Sequence, residues 1–408
     1  MKVLIYGLNY APELTGIGKY TGEMSSWLAA QGHEVRVVTA PPYYPAWKIN
    51  EGYSGKSYRT ERIDGVKVSR CPLWVPSRPS GLKRILHLFS FAVSSLPVVL
   101  AKSLFWRPDV VFSVEPAIFA APGAWAAARV GGAKAWLHVQ DFELDAAFDM
   151  GIIRGKRIKS LVIGIEKLLM KRFDIVSTIS PRMMDKLSEK GIEGRRRFLF
   201  PNWVDTDSIF PQPRQNSMRA ELGIPPEAAV MLYSGNMGEK QGLDIILEAA
   251  RLLSERKDLL FVLCGDGAAR ARLVERAKGL PHVRFIDLQP MEKLNDLLNM
   301  ADVHLMPQRA DIEDLVMPSK LPGIFASGRP VVATAHEGTQ IARAVAGRGV
   351  VVRPGDARAF AEAISALSAA PELRKKLGDG GRDYCLENWG KLRVLALLEE
   401  KMKDIARA

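Results

Sequence analysis

The residues best suited to chemistry are Tyr233-Ser234-Gly235-Asn236-Met237-Gly238-Glu239-Lys240-Gln241-Gly242-Leu243, where the apolar run Ala229 to Tyr233 enters a glycine-rich turn. The pattern predicts a strand, a tight turn and a helix. Glycines let the backbone approach an anion, and the N–H groups opening a helix carry roughly half a positive charge, so a diphosphate would sit there without a metal. A second such unit lies near the amino end, where Val3-Leu4-Ile5-Tyr6-Gly7 leads through Pro12-Glu13-Leu14-Thr15-Gly16-Ile17-Gly18-Lys19 into a helix. Lys19 and Lys240 each either reach an anion or lie solvated at a helix start. His138-Val139-Gln140-Asp141 follows an apolar strand, which places it at the carboxyl edge of a sheet, where doubly wound folds expose their functional loops. A histidine closing a strand and an aspartate capping a helix is the structural alternative.

Two strand-glycine-helix units need two domains to position them, and 408 residues with 47% hydrophobic content suffice for two packed cores. Apolar runs at Val3 to Tyr6, Glu34 to Thr39, Val110 to Val114, Lys134 to His138 and Ile175 to Ile179 alternate with amphipathic segments, which predicts a parallel sheet. A second series follows at Val230 to Tyr233, Leu260 to Cys264, Val283 to Ile286, Val303 to Met306, Pro330 to Thr334 and Gly349 to Val352. The fold class is therefore α/β, with two doubly wound, Rossmann-like domains. Phe200-Pro201-Asn202-Trp203-Val204-Asp205 and Phe210-Pro211-Gln212-Pro213 read as a proline-rich hinge. The domains are expected at 1–205 and 206–391, with the amphipathic segment 392–408 packing back on the first.

A net charge of +12 and a pI near 9.5 call for an anionic partner, which nucleotide diphosphate, acidic lipid or nucleic acid would satisfy. Cys71, Cys264 and Cys385 form no CxxC pair, so neither a disulfide framework nor a zinc site is indicated and a reducing cytoplasm fits. No signal-peptide pattern precedes the first strand, so the mature chain is expected to start at Met1. Trp27, Trp47 and Trp74 are scattered, no RNA-recognition motif accompanies the charge, and no nucleic-acid partner is expected.

Nearly the whole chain resembles the retaining GT-B glycosyltransferases of family four, of the type that assembles colanic acid and other exopolysaccharides. The resemblance rests on Pro12 to Tyr20, His138-Val139-Gln140-Asp141, Pro201 to Asp205, Ser234-Gly235-Asn236 to Gln241-Gly242, and Met317-Pro318-Ser319-Lys320-Leu321. It implies domains facing each other across a cleft, an acceptor-binding first domain and a nucleotide-sugar-binding second one. Gly235, Asn236 and Gly238 would face the donor diphosphate, over the Leu263 to Gly267 strand-turn with Gly265. The loop Gly16, Ile17, Gly18, Lys19 would cross toward diphosphate and acceptor. Many members carry an arginine where Asn236 stands and a lysine where Gln241 stands. Lys320, with Ser319 and Leu321 at an expected helix start, and Lys240 would supply that charge. The family's paired glutamates would fall at Leu315 and Gly323, leaving Glu313 and Asp314 as substitutes or surface acids. His138 would contact the reacting sugar and Asp141 would orient it or the acceptor hydroxyl, with Glu143 and Asp145 as acceptor contacts or solvent-facing acids. Glu337, Gly338 and Thr339 would open a helix toward the donor. The family implies front-side attack with retention, a donor phosphate oxygen taking the acceptor proton, and neither metal nor other cofactor.

The activity implied is hexosyl transfer from a nucleotide sugar, GDP-fucose first, to a polyprenyl-diphosphate-linked saccharide. A nucleotide-sugar epimerase of the same fold and a non-catalytic basic lipid- or nucleic-acid-binding protein are the competing readings. Leu82 to Leu104, flanked by Lys83, Arg84 and Lys102, reads either as a membrane-contacting segment or as a core helix broken near Pro97. Ile152 to Phe173 interleaves Arg154, Lys156, Arg157, Lys159, Lys167, Lys171 and Arg172 with apolar residues, as interfacial helices do. Together they predict peripheral attachment to an anionic membrane surface on the cytoplasmic side, against a solvated basic helix as the alternative.

Overall fold

The computed structural model describes residues 1–13, 16–78, 80–115, 119–142, 156–310 and 318–407, with the side chains at 156–159, 161 and 240 outside the description. The chain forms two units: Met1–Pro201 with Leu395–Ala408, and Asn202–Val394. The break falls after Pro201 rather than at Asp205. Val204 lies in the second unit, where its N–H donates to the Trp389 carbonyl and its own carbonyl accepts from the Lys391 N–H, so the hinge segment has regular partners.

The first unit holds an eight-stranded sheet: β1 (Lys2–Gly7), β2 (Glu34–Thr39), β3 (Arg59–Ile63), β4 (Val66–Arg70), β5 (Val110–Glu115), β6 (Lys134–Val139), β7 (Ile175–Thr178) and β8 (Arg197–Leu199). Its order is β3-β4-β2-β1-β5-β6-β7-β8, parallel except for the β3/β4 hairpin. Strand alternation sends Leu4 and Tyr6 of β1, Val111 of β5 and Leu137 of β6 into one buried cluster. Helices α2 (Gly81–Trp106) and α3 (Ala121–Gly131) cover that face, while α1 (Gly16–Ala30) follows β1. The alanines of α3 (Ala121, Ala124, Ala127, Ala128) let it approach the sheet closely.

α2 runs unbroken through Pro97, where the core-helix alternative placed a break. A proline removes one N–H and leaves the carbonyl four residues back without its donor, a loss that the remaining ladder of a 26-residue helix and its packing absorb. In α4 (Lys156–Met170), Glu166 is buried with Lys190, and Lys167 donates to the Glu189 carbonyl; just beyond it, Arg172 lies 5.7 Å from the Trp125 ring centroid. These cations have partners within the unit. Residues 152–155 lie outside the described residues.

The second unit is a six-stranded parallel sheet in the order β11-β10-β9-β12-β13-β14, from β9 (Ala229–Ser234), β10 (Leu259–Cys264), β11 (Val283–Ile286), β12 (Val303–Met306), β13 (Val331–Thr334) and β14 (Gly349–Val352). Every one of these strands matches a run legible in the sequence. Asp302, just before β12, anchors the amino ends. Its carboxylate accepts from the Val230 N–H at 2.9 Å, from Arg219 at 2.5 Å and from Arg214 at 3.0 Å. The final helix, Lys391–Arg407, begins in the second unit and ends in the first, where Leu395, Leu398 and Met402 are fully buried and Glu399 pairs with His33 at 2.8 Å.

Candidate functional site

The turn after β9 is built by close backbone packing. Gly235 adopts φ 132° and Gly265, after β10, φ 142°. A β-carbon on Gly265 would stand 2.0 Å from the Gly235 carbonyl oxygen, so only glycine fits where the two turns touch. The Gly235 N–H donates to the Cys264 carbonyl and the Met237 N–H to the Asp266 carbonyl. Gly265 thus supports the Gly235 turn from beneath. Two of the turn's N–H groups are spent on this lacing, and the element that follows is a short 3-10 turn, Glu239–Gln241, closed by Gly242 at φ 62°. The α-helix starts only at Asp244, so the expected helix N-terminus does not directly follow the glycines.

Among the described side chains, Lys320 brings positive charge to this turn. Its side chain occupies the space a Gly235 side chain would fill, with Cε 2.5 Å and Nζ 2.9 Å from that hypothetical β-carbon. Lys320 Nζ donates to the Tyr233 hydroxyl at 2.6 Å and lies 3.9 Å from the ring centroid, while the Tyr233 hydroxyl donates to the Asn236 carbonyl at 2.5 Å. Burial lowers the Lys320 ammonium to about 8 and raises the Tyr233 phenol. Tyr233 therefore joins the lysine to the turn, a role that reading it as the last apolar residue of a strand left out. Asn236 is exposed beside it, and Gly238 has room only for the Gln241 and Asn236 side chains around it. The side chain of Lys240 lies outside the description.

Lys320 stands at the position just before the helix Leu321–Ala326, as its place after Pro318 predicts, and its side chain makes no capping bond there. Ser319 is exposed, but Leu321 is fully buried among core residues, so its side chain is packing and not a donor contact. After β13, Glu337 and Gly338 are exposed, and Thr339 caps the next helix by accepting from the Ala342 N–H at 3.2 Å. Thr334 ties this loop to the one after β12 through the Gln308 N–H at 2.7 Å. The carboxyl edge of this sheet therefore gathers the Gly235, Gly265, Lys320 and Gly338 segments. Residues 311–317, with Glu313 and Asp314, lie outside the described residues.

In the first unit His138 is not at an open edge. It is 2% exposed, with the Gln140 amide nitrogen 3.0 Å from Nε2 and Ser177 Oγ 2.9 Å from Nδ1. With Gln140 donating to Nε2, the ring proton sits on Nδ1 and is donated to Ser177. Phe112 and Phe200 flank the ring, and burial holds it neutral, its pKa lowered to about 3. His138 packs in the core of its own unit, Gln140 is buried beside it, and Asp141, three residues further on, is exposed. Glu143 and Asp145 lie outside the described residues.

Gly16 opens α1 at φ 60° and is exposed, with Ile17 half-buried beside it. Gly18 is buried for a different reason: a β-carbon there would lie 2.6 Å from Glu13 Oε2. The Glu13 carboxylate accepts from the Tyr43 and Tyr44 N–H groups at 3.0 Å each and from Asn9 at 2.9 Å, and burial raises its pKa. Glu13 pins the loop that starts α1, an anchoring role the motif alone did not reveal. Lys19 pairs with Glu23 at 3.8 Å.

Two doubly wound units, the second presenting paired glycine turns under a lysine, have the layout of a GT-B glycosyltransferase. Residues 15–203 match the family described as "Glycosyl transferase 4-like domain" and residues 214–384 that described as "Glycosyl transferases group 1". The chain is 43% identical over 405 residues, 97% of its own length and 98% of the other's, to WcaI of Escherichia coli (strain K12), named as a colanic acid biosynthesis glycosyl transferase. It belongs to family four of the GT-B glycosyltransferases and is a glycosyltransferase. The same fold appears in sucrose-phosphate synthase from Thermosynechococcus elongatus (TM-score 0.73, 17% identity, 99% of each chain). It appears also in WaaG, a glycosyltransferase involved in lipopolysaccharide biosynthesis (TM-score 0.62, 18% identity, 99% of each chain).

Proposed function

We propose that this chain is a retaining, metal-independent glycosyltransferase of exopolysaccharide assembly. It takes a sugar from a nucleotide diphosphate, GDP-fucose first among candidates, and passes it to a polyprenyl-diphosphate-linked saccharide at the cytoplasmic face of the membrane. The observation that carries the reading is the Lys320 ammonium held over the Gly235 turn. Breaking the bond between the anomeric carbon and the diphosphate leaves negative charge that must be met where it develops, and a preorganised ammonium meets it. The acceptor hydroxyl forms the new bond on the face the diphosphate leaves, and its proton passes to a donor phosphate oxygen. No protein base is then required, in keeping with a His138 that is buried and neutral. The name of WcaI supports the exopolysaccharide setting.

The test is nucleotide release from a panel of GDP-, UDP- and dTDP-sugars in EDTA, with membrane extract supplying lipid-linked acceptor, followed by determination of the product anomer. Release from GDP-fucose that requires the extract, with the donor's anomeric configuration kept, is expected. Release only after metal is restored, or an inverted anomer, would overturn the corresponding part of the reading.

A further inference from the structure

We propose that the outward face of α2 docks the chain flat on an anionic membrane surface. The inference rests on the membrane-face reading above and assigns it a surface. α2 is long and apolar enough to cross a bilayer, yet its inner stripe of Leu88, Phe91, Val99 and Trp106 is packed in the core of the first unit. The Ser95 hydroxyl on that stripe meets the Tyr6 hydroxyl at 2.6 Å. A helix tied to its sheet in this way lies along a surface and does not span it.

The outer stripe is as apolar as the inner one. Leu82, Leu86, Phe89 and Val93 are 70%, 49%, 52% and 56% exposed, and Phe89 meets Phe119 edge-on with centroids 6.3 Å apart. Surface helices normally turn a polar face outward, and a contiguous exposed apolar stripe marks a surface that a partner covers. Tyr58, whose hydroxyl donates to the Ser94 carbonyl, and the exposed Trp74 border the stripe, as amphipathic aromatics do at a bilayer interface.

Charge selects the occupant. Between Asp64 and Asp109 the sequence has no acidic residue but holds Lys67, Arg70, Arg78, Lys83, Arg84, Lys102 and Arg107. Arg78, Lys83 and Arg84 are exposed at one end of α2 and Arg107 at the other. A second copy pairing through this face with its helix parallel would set the Arg78, Lys83 and Arg84 end against its own like charges. Anionic lipid headgroups beside an apolar interior match both the charge and the stripe.

The experiment is flotation of the full chain with vesicles of phosphatidylcholine alone and of phosphatidylcholine with phosphatidylglycerol. Binding to the anionic vesicles, weakened by salt, is expected, with Leu86→Glu/Phe89→Glu reducing it at least about tenfold. Thermal stabilisation by donor nucleotide, measured on the same samples, is expected to be unchanged in that variant and tests the enzyme reading separately. Lys83→Glu/Arg84→Glu, on exposed residues, is expected to weaken binding as well and covers a failure of the first variant to fold. Equal binding by the folded variants, no binding by the wild type, or a dimer that the apolar variant dissolves would overturn the proposal.

Discussion

On the proposed reading, Lys320 makes donor use sensitive to pH in a defined direction. Burial lowers its ammonium to about 8, so the site is cationic below that pH and increasingly neutral above it. Donor kcat/KM is therefore expected to be level below about pH 8 and to fall by up to about tenfold per pH unit above it, in a pH–rate profile at subsaturating donor. Lys320→Ala should cost on the order of a hundredfold in kcat/KM; wild-type kinetics in that variant would remove the lysine from the site. Tyr233→Phe keeps the ring but deletes the hydroxyl between Lys320 and the Asn236 carbonyl, so donor KM should rise about fivefold, the worth of roughly one hydrogen bond. His138→Ala is a different case. Removing a fully packed ring should lower stability by about 2–4 kcal/mol, and donor KM measured well below the melting temperature should be close to wild type. The lysine and the glycines were legible in the sequence because their spacing reports on local backbone. The place of His138 was not, because the ring is enclosed by Phe200 just beyond β8, and β8 is too short to register as an apolar run.

At the scale of elements, the parallel strands were legible because buried strands of this fold are continuous apolar runs. The β3/β4 hairpin was missed because Arg59–Ile63 is polar and largely exposed, although Asp64-Gly65 carries a hairpin signal. The helix after the Gly235 turn was expected too early because Glu239-Lys240-Gln241 has helical composition, while Gly242 at φ 62° ends the 3-10 turn before an α-helix can continue. The end of the sheet opposite the glycine turns depends on one carboxylate. Asp302→Ala would leave the fully buried Arg219 guanidinium without its counter-charge, and should destabilise the second unit by about 3–5 kcal/mol. Chemical denaturation followed by the fluorescence of Trp389, which is buried in that unit, would measure the loss.

For the molecule as a whole, the two-domain plan was legible, and the return of the last helix was expected from its amphipathic pattern. What the pattern could not give was the position of the break within that helix, since Val394 counts with the second unit and Leu395 with the first through contacts made far away in sequence. Leu398→Ala should cost about 2–5 kcal/mol, and hydrogen exchange is expected to show the loss in β1 and β2 of the first unit before the second unit responds. That helix also imposes an order on biosynthesis. Residues that fill the core of the first unit are translated after the entire second unit, so the half of the protein that leaves the ribosome first waits for the other half before its own packing can be completed.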